Sequence, residues 1–278
     1  MPELPEVETV LRTLELKLGK STIEKVEIVY PKLIENVSVE FFEQSLKNQT
    51  IQKYERLGKY MLFILDDYCL IAHMRMEGKF YVQKKEDPFE KKHTHAFITF
   101  TNGVQLRYHD TRKFGRMYLY SIINDETKRY DALKNIGYDA MDEQLSAAYL
   151  YHCIHNKHRA IKTLLLDQSI IAGIGNIYAD EICFSSSIHP LTLGAHLSLE
   201  DCETLLFHTR RILQGAINFG GTTIRSYTSS LGVSGRFQLK LKVHSRVGQP
   251  CPICFTTIKK IKINGRGSEY CEKCQVIK

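Results

Sequence analysis

Residues 251–274 read CPICFTTIKKIKINGRGSEYCEKC and contain two Cys-x-x-Cys pairs separated by sixteen residues. This spacing is typical of a four-thiolate zinc site, and the segment is too short to fold on an apolar core of its own. Between the pairs, isoleucines alternate with lysines before Asn264-Gly265, a dipeptide typical of a tight hairpin turn. The segment therefore predicts a zinc hairpin with one basic face, and a redox-active pair is the less favoured alternative. The expected ligands of one structural Zn²⁺ are Cys251, Cys254, Cys271 and Cys274.

The composition of the whole chain favours a globular protein with an anionic partner. Its 278 residues are 43% hydrophobic, which is enough for buried cores. Lys and Arg exceed Asp and Glu by 38 to 31, and the net charge of +7 favours a partner such as nucleic acid. No apolar run approaches the roughly 20 residues that span a bilayer, and glutamates stand where a signal peptide would be basic. We therefore expect a cytoplasmic protein without a membrane partner. Four scattered cysteines are expected to be buried free thiols: Cys69, Cys153, Cys183 and Cys202.

Hydrophobic periodicity changes along the chain and divides it into regions. A helical stripe runs from Glu3 to Gly19, and short apolar or alternating runs between residues 23 and 121 predict a sandwich or barrel of β-strands. After about residue 131 the period becomes helical, until a loop rich in Gly, Ser and Thr at 220–235. We therefore expect an α+β multidomain protein, in which an N-terminal β-sandwich with a leading helix precedes a helical domain and the zinc hairpin. The expected boundaries are 1–130, 131–235 and 236–278.

Six stretches resemble, in order, those of formamidopyrimidine-DNA glycosylases, bacterial enzymes that remove oxidised purines. They are MPELPEVETV at 1–10, RLGKY at 56–60, HMRMEG at 73–78, TRKFG at 111–115, GIGNIYADE at 173–181 and the zinc segment with Gly265-Arg266-Gly267. The resemblance implies that 131–235 is a helix-two-turns-helix DNA-binding domain and that 220–235 closes over the damaged base. The chain departs from the family at Gly137–Ala140, where Gly-Pro-Glu-Pro is common. It also departs at His244-Ser245-Arg246, where Tyr-Gly-Arg is common.

Pro2 becomes the N-terminal residue when the initiator methionine is removed, which its small side chain permits. An α-amino group has a reference pKa of roughly 7.7 to 8.0, so a useful fraction is unprotonated at neutral pH. Attack of this amine on the sugar C1′ of a damaged nucleotide would expel the base and leave a cationic imine. That imine acidifies the C2′ proton and permits strand cleavage. The alternative is that Pro2 only begins a helix, but Pro5 fits that position better.

The resemblance implies further catalytic roles for Glu3, Lys59 and Arg266. Glu3 is implied to protonate the departing base or the opening sugar, with Glu6 near the same site; a first-turn carboxylate that stabilises the helix dipole is the alternative. Lys59 is implied to act as a general acid and base beside a DNA phosphate, although a lone lysine on a strand edge is ordinarily a surface residue. Arg266 is implied to bind phosphate and to assist the second elimination step.

Chemistry on a base in a duplex requires the nucleotide to leave the stack, at a cost on the order of a few kcal/mol. Met76, Arg112 and Phe114 match the family's gap-filling triad: an apolar wedge, a guanidinium for the orphaned opposite base and a stacking ring. Met76 and Phe114 are by type more often core residues. The polar sequence around Arg112 and Phe114 nevertheless favours their exposure.

Phosphate contacts are expected from several separate parts of the chain. The glycine-rich run before Asn176 opens a helix, whose N–H groups and Asn176 amide can bind a phosphate; a tight interhelical turn is the alternative. The resemblance implies DNA contacts for four further basic residues: His73, His93, Lys157 and Lys162. Candidates for contacts with the base edge are Glu77, Thr222, Thr223, Arg225 and Tyr227.

The sequence and the resemblance together predict a bifunctional repair glycosylase. It would remove 8-oxoguanine or formamidopyrimidines from double-stranded DNA and cleave the abasic strand by β- and δ-elimination, acting as a monomer because no heptad repeat is present. One alternative is an endonuclease VIII-like glycosylase for oxidised pyrimidines, which Leu4 and Arg112-Lys113-Phe114 disfavour. The other is a zinc protein that binds DNA without catalysis.

Overall fold

The computed structural model describes residues 1–123, 130–222 and 235–278. Contacts divide the chain into two compact units. The N-terminal unit begins at Met1 and extends to Lys134, and the C-terminal unit contains residues 135–222 and 236–278. Within the described ranges, no helix combines the length and the apolar composition that crossing a bilayer requires.

Helix α1, Leu4–Leu18, opens the N-terminal unit, and the sequence explains both of its ends. Glu3 and Glu6 form a capping box, in which each carboxylate accepts a hydrogen bond from the other residue's backbone N–H. Pro5 lies in the first turn, where its missing N–H costs no helical hydrogen bond. Gly19, at φ 52°, ends the helix as predicted. The buried stripe is the predicted one: Val7, Val10, Leu11, Leu14 and Leu18.

Eight antiparallel strands form two four-stranded sheets in the N-terminal unit. The first sheet contains, in spatial order, β1 (Ile23–Ile28), β6 (Thr94–Phe100), β7 (Val104–His109) and β5 (Lys79–Lys84). The second contains β2 (Lys53–Leu57), β3 (Tyr60–Ile64), β4 (Tyr68–His73) and β8 (Arg116–Ser121). Side chains from both sheets and from α1 share one buried core, so the architecture is the expected β-sandwich. Helix α2, Val39–Leu46, lies against β1.

The described part of the C-terminal unit contains four α-helices, all after residue 131, where the periodicity becomes helical. They are α3 (Ala147–Ile154), α4 (Ile161–Leu165), α5 (Asn176–Ser185) and α6 (Leu199–Asn218). Helix α5 packs against α4, α6 and the zinc hairpin, and nearly all of its side chains are therefore buried. A short parallel pair joins β9 (Tyr138–Asp139) to β10 (Ile171–Ala172). Short 3₁₀ turns occur in both units: at Pro31–Leu33 and Asp131–Leu133 in the N-terminal unit, and at Gly194–His196 and Phe237–Lys240 in the C-terminal unit.

The predicted zinc hairpin is present as strands β11 (Lys259–Ile263) and β12 (Arg266–Tyr270). Asn264 and Gly265 connect them with φ values of 46° and 79°, the two positive angles of a type I′ turn. Along β11, Ile263 is buried while the three lysines are exposed, so the basic face is also confirmed. Arg266 is exposed directly after the turn.

Candidate functional site

The first residues of the chain lie in a buried, acidic environment. Pro2 is buried, whereas Met1 remains 41% exposed. Glu3 and Glu6 are 3% and 6% exposed, and the Glu3 N–H donates to Glu6 Oε2 at 2.9 Å. The capping box therefore fixes the backbone that follows Pro2 and places two carboxylates within four residues of Pro2 along the chain. Such an arrangement can hold a nucleophilic amine beside a proton donor.

Lys59 occupies the two-residue turn between β2 and β3. Gly58 takes the positive φ, 57°, that the first position of this turn requires, and Lys59 is buried. Arg56 spans from this turn to the first helix: its Nη1 donates to the Gly58 carbonyl at 3.1 Å and its Nε to Glu8 Oε2 at 2.7 Å. Burial opposes ionisation of Glu8, but hydrogen bonds and charges from Arg56 and Arg12 outweigh it and lower the pKa of Glu8. The sequence interpretation missed this ion pair between Glu8 and Arg56, which positions the turn that carries Lys59.

His73 is a neutral imidazole in this structure. Burial, together with the charges of Arg75 and Lys59, lowers the pKa of His73 to about 3. Its Nδ1 accepts the Arg75 N–H at 2.9 Å, so the single proton of the neutral ring must be on Nε2. His73 can therefore offer a hydrogen-bond donor to a phosphate but no charge. Its predicted DNA contact stays a prediction.

The turn that carries Arg112 and Phe114 is organised by Asp110, a residue that the sequence interpretation overlooked. The fully buried Asp110 carboxylate accepts hydrogen bonds from the backbone N–H groups of Arg112, Phe114 and Gly115 at 2.8–3.0 Å. Phe114 is 47% exposed, and the Arg112 guanidinium lies 4.7 Å from its ring centroid. An Asp five residues before a Gly in a polar stretch was the available signal.

The turn that carries Met76 packs against the Tyr108 side chain, as does the turn that carries Phe114. A β-carbon on Gly78 would come within 2.2 Å of the Tyr108 hydroxyl, and one on Gly115 within 1.6 Å. Both glycines are therefore required for the two turns to close on Tyr108. Met76 is 39% exposed. The structure thus confirms the predicted exposure of Phe114 and brings together the two turns that carry the triad.

We expect Asp110→Ala to lower both stability and affinity for damaged DNA. It removes the acceptor of three backbone N–H groups, of which that of Gly115 is buried and the other two are partly buried. Because an unsatisfied buried donor costs about 1–3 kcal/mol, the free energy of unfolding should fall by about 2 kcal/mol. Loss of the two exposed side chains from their positions should weaken binding to a duplex with an abasic analogue about tenfold. Urea denaturation and fluorescence anisotropy measure the two effects.

Asp142→Ala is the matched control, because the Asp142 carboxylate accepts a single exposed backbone N–H, that of Gln144. We expect a change in unfolding free energy below about 0.5 kcal/mol for this variant. Equal behaviour of the two variants would contradict the role assigned to Asp110.

His93 lies within a cluster of two imidazoles and one carboxylate. Its Nε2 is 3.6 Å from Glu90 Oε1, and the Nε2 of His109 is 3.2 Å from Glu90 Oε2. The His93 Nδ1 is buried and has no hydrogen-bond partner within the described part of the chain. The side chain is partly exposed, so a DNA contact by His93 stays a prediction.

In the C-terminal unit, Asn176 begins α5 and carries a side-chain oxygen that is buried without a partner among the described residues. Because the two ends of an amide are interchangeable by rotation, the same position can present a donor to a phosphate. Gly173, at φ 106°, makes the preceding turn, and Lys157 is exposed. Both predicted contacts remain compatible with the geometry. Of the loop candidates, Thr223, Arg225 and Tyr227 lie outside the described residues.

Lys162 requires a correction. Its side chain is 1% exposed, and its ammonium group donates to Asp180 Oδ1 at 2.6 Å and to the Gly267 carbonyl at 2.7 Å. A group enclosed in this way has no surface to offer a phosphate, so the prediction of a DNA contact is wrong for this lysine. A single lysine in a sequence does not reveal whether it is buried.

The four predicted zinc ligands converge on one point. Their sulfur atoms lie within 4.8 Å of one another, with Cys251 and Cys274 3.8 Å apart and Cys254 and Cys271 3.4 Å apart. Tetrahedral zinc with Zn–S distances of about 2.3 Å places its sulfurs about 3.8 Å apart, whereas a disulfide requires about 2.05 Å. The donor set therefore fits one structural Zn²⁺. Val243, Ile258 and Phe184 cover the cluster.

Three family models match the chain in succession. The formamidopyrimidine-DNA glycosylase N-terminal domain matches residues 1–117, and the formamidopyrimidine-DNA glycosylase H2TH domain matches residues 136–228. The zinc finger found in FPG and IleRS matches residues 248–276, which contain the four-cysteine cluster.

Curated relatives match over their whole length. The formamidopyrimidine-DNA glycosylase of Ureaplasma parvum is 45% identical over 278 residues, covering 99% of this chain and 100% of that protein. The Bacillus subtilis enzyme of the same name is 43% identical over 279 residues, with full coverage of both chains.

Solved structures match equally well. Lactococcus lactis Fpg in complex with DNA containing an abasic site superposes with a TM-score of 0.90 at 38% identity, covering 98% of this chain and 99% of that one. The complex of the same protein with DNA containing N7-benzyl-Fapy-dG gives a TM-score of 0.90 at 38% identity, with 99% of each chain covered.

Proposed function

Because the chain belongs to the formamidopyrimidine-DNA glycosylase family, we propose that it excises oxidised purines from double-stranded DNA with the amine of Pro2 as nucleophile. It is a base-excision repair glycosylase with abasic-site lyase activity. The DNA in the complexes of Lactococcus lactis Fpg contains an abasic site in one case and N7-benzyl-Fapy-dG in the other. The observation that carries the assignment of the nucleophile is the position of Pro2, buried directly before two carboxylates held in a capping box.

The reaction begins with attack of the Pro2 nitrogen lone pair on C1′ of the damaged nucleotide. The bond from C1′ to the base breaks, and the base leaves with the electron pair and takes up a proton. The Pro2 nitrogen then loses its proton, and the bond from C1′ to the sugar ring oxygen breaks as that oxygen takes up a proton, which gives the iminium. The iminium acidifies the C2′ proton. Loss of that proton breaks the bond from C3′ to its oxygen and releases the 3′ strand, and a second elimination releases the phosphate on the 5′ side. Water then hydrolyses the imine and restores the amine.

Glu3 and Lys59 are assigned the proton transfers. Glu3 supplies a proton to the departing base or to the sugar ring oxygen, from a buried position directly after Pro2. Lys59 acts as a general acid and base at the sugar, next to a DNA phosphate. Arg56 holds the turn that carries it. His73 adds a neutral donor for a phosphate oxygen.

The remaining site residues are assigned to the DNA. Met76, Arg112 and Phe114 fill the gap left by the extruded nucleotide. His93, Lys157 and Asn176 bind phosphates. Arg266 binds phosphate and assists the second elimination from the exposed tip of the zinc hairpin. We retain 1–130, 131–235 and 236–278 as working domain boundaries, and we place the monomeric enzyme in the bacterial cytoplasm, in association with the nucleoid.

Borohydride trapping tests the proposed chemistry, because reduction converts the imine into a stable amine. We expect wild-type protein and an 8-oxoguanine duplex to give a covalent adduct that maps to Pro2 by mass spectrometry. The same duplex with undamaged guanine should give none. A protein that binds the damaged duplex but is never trapped would be a DNA-binding protein without catalysis.

A panel of damaged duplexes separates the two enzymatic alternatives. We expect single-turnover excision of 8-oxoguanine and formamidopyrimidine to exceed that of thymine glycol by at least about tenfold. The reverse order would assign the chain to the endonuclease VIII-like activity.

A further inference from the structure

A buried ion pair joins two helices of the C-terminal unit to the zinc hairpin. Lys162 is on α4 and Asp180 on α5, with side chains that are 1% and 0% exposed and an Nζ to Oδ1 distance of 2.6 Å. Both residues also contact β12: Lys162 donates to the Gly267 carbonyl at 2.7 Å, and the Ser268 hydroxyl donates to Asp180 Oδ1 at 2.9 Å. The pair therefore connects α4, α5 and the start of β12 through one set of hydrogen bonds.

The contacts lie on both sides of Arg266. Gly267 and Ser268 follow it directly, and Asn264 precedes it by two residues. The Asn264 side-chain amide donates to the hydroxyl of Thr163 on α4 at 3.1 Å. The backbone that carries the Arg266 guanidinium is thus attached to the helices before and after that residue, while the side chain itself stays exposed.

The other oxygen of Asp180 is also occupied. His244, in the segment that leads to the zinc site, has its Nδ1 2.8 Å from Asp180 Oδ2. The neighbouring Glu181 carboxylate accepts the backbone N–H groups of Lys242, Val243 and His244, each at 2.9 Å. Among the described residues, Asp180 therefore contacts the hairpin tip, whereas Glu181 contacts the segment before the zinc site.

Stability alone is a weak explanation for this pair. Removing two charges from water is costly, and replacing a buried ion pair by apolar side chains of similar volume is often neutral or stabilising. What an ion pair with several fixed hydrogen bonds provides is a defined geometry. Here the groups with defined geometry are the peptides on either side of Arg266.

We propose that Lys162 and Asp180 are positioning residues that fix the hairpin tip so that Arg266 can assist the second elimination. This inference rests on the proposed function, which assigns that step to Arg266. A displacement of about 1 Å at a catalytic group can slow a reaction by a factor on the order of 100. Loss of the pair should therefore slow the second elimination, while attack by Pro2, which belongs to the N-terminal unit, is affected much less.

The test uses the double variant Lys162→Met with Asp180→Asn, which removes both charges of the buried pair together. In single turnover on an 8-oxoguanine duplex, we expect the unsaturated aldehyde from β-elimination to accumulate. The rate constant for its conversion to the phosphate end should fall about tenfold or more, and that for base excision less than about threefold. Ser268→Ala, which removes one hydrogen bond of the set, should give a smaller shift in the same direction.

Glu181→Gln is the matched control, since it disturbs an equally buried carboxylate on the same helix that does not contact the hairpin tip. It should lower the melting temperature without changing the product ratio. Zinc content and melting temperature are measured for every variant. A product ratio in Glu181→Gln that matches the double variant would show general loosening and overturn the proposal.

A double-mutant cycle identifies the group through which the pair acts. In an Arg266→Ala background, loss of the pair should not slow the second elimination further. An additional slowing there, or a wild-type product ratio in the folded double variant, would also overturn the inference. Either result would leave the proposed function intact, because the proposed function has a separate test. It would be contradicted by an absence of trapping and base excision in the wild-type protein.

Discussion

Replacing Pro2 by glutamate is expected to abolish both base excision and borohydride trapping on an 8-oxoguanine duplex. A bulky second residue blocks removal of Met1, so the reactive amine is lost and the chain begins one residue earlier. Removal of a covalent nucleophile should lower the single-turnover rate constant by at least about 10³-fold. Quantitative trapping and gel analysis of the cleaved strand measure the loss.

Pro2→Gly is the matched control for the amine. Glycine permits removal of Met1 and leaves a primary amine at the same position, so weak trapping should remain. Both variants should bind a duplex with a tetrahydrofuran abasic analogue, because the proposed DNA contacts lie elsewhere. If fully active wild-type protein retained Met1, or carried an acylated terminus by mass spectrometry, Pro2 could not be the nucleophile.

Loss of zinc is expected to remove tight DNA binding. Cys271 is fully buried in the four-sulfur cluster, and Cys271→Ser replaces a thiolate with a poor zinc ligand. Structural zinc sites contribute about 10–16 kcal/mol of apparent binding free energy, and small zinc modules are unfolded without the metal. We therefore expect the hairpin to lose its structure, together with the position of Arg266, and affinity for the abasic-analogue duplex to fall at least about 100-fold.

Cys153→Ser provides the comparison, since Cys153 is a partly exposed thiol on α3 outside the cluster. Metal analysis should find one zinc per chain in this variant and in the wild type, and less in Cys271→Ser. The β-sandwich has its own core, so far-ultraviolet circular dichroism of Cys271→Ser should retain its strand signal. Wild-type affinity in a zinc-free protein would remove the assigned role of the hairpin.

Local patterns in the sequence were sufficient for the elements whose signals are local. The zinc hairpin, the helix α1 that ends at Gly19 and the helix α5 that begins at Asn176 all appear where spacing, glycines and periodicity predict them. Strand β2 has no apolar run that would predict it, because three of its five residues are charged. It lies at a sheet edge and is held by backbone pairing with β3, which no property of its own side chains encodes.

The site residues divide in the same way into those with a local sequence signal and those whose role depends on tertiary structure. The zinc ligands followed from spacing, and the exposure of Phe114 from its polar neighbours. Asp110 was missed because its role depends on three backbone N–H groups meeting in one turn. Lys162 was assigned to DNA from the family resemblance. Its burial and its pairing with Asp180, eighteen residues away, depend on tertiary structure that the sequence pattern does not contain.

The burial of Pro2 in the folded N-terminal unit also constrains how the enzyme matures. An aminopeptidase must bind the Met1-Pro2 bond in an extended, accessible form, and in the folded chain the Pro2 side of that bond is buried. Under the proposed mechanism, excision of methionine therefore has to occur on the nascent chain, before the first helix closes against the sandwich. A molecule that folded first would keep its methionine and would bind damaged DNA without repairing it. The fraction of active enzyme in a cell therefore depends on methionine removal during translation.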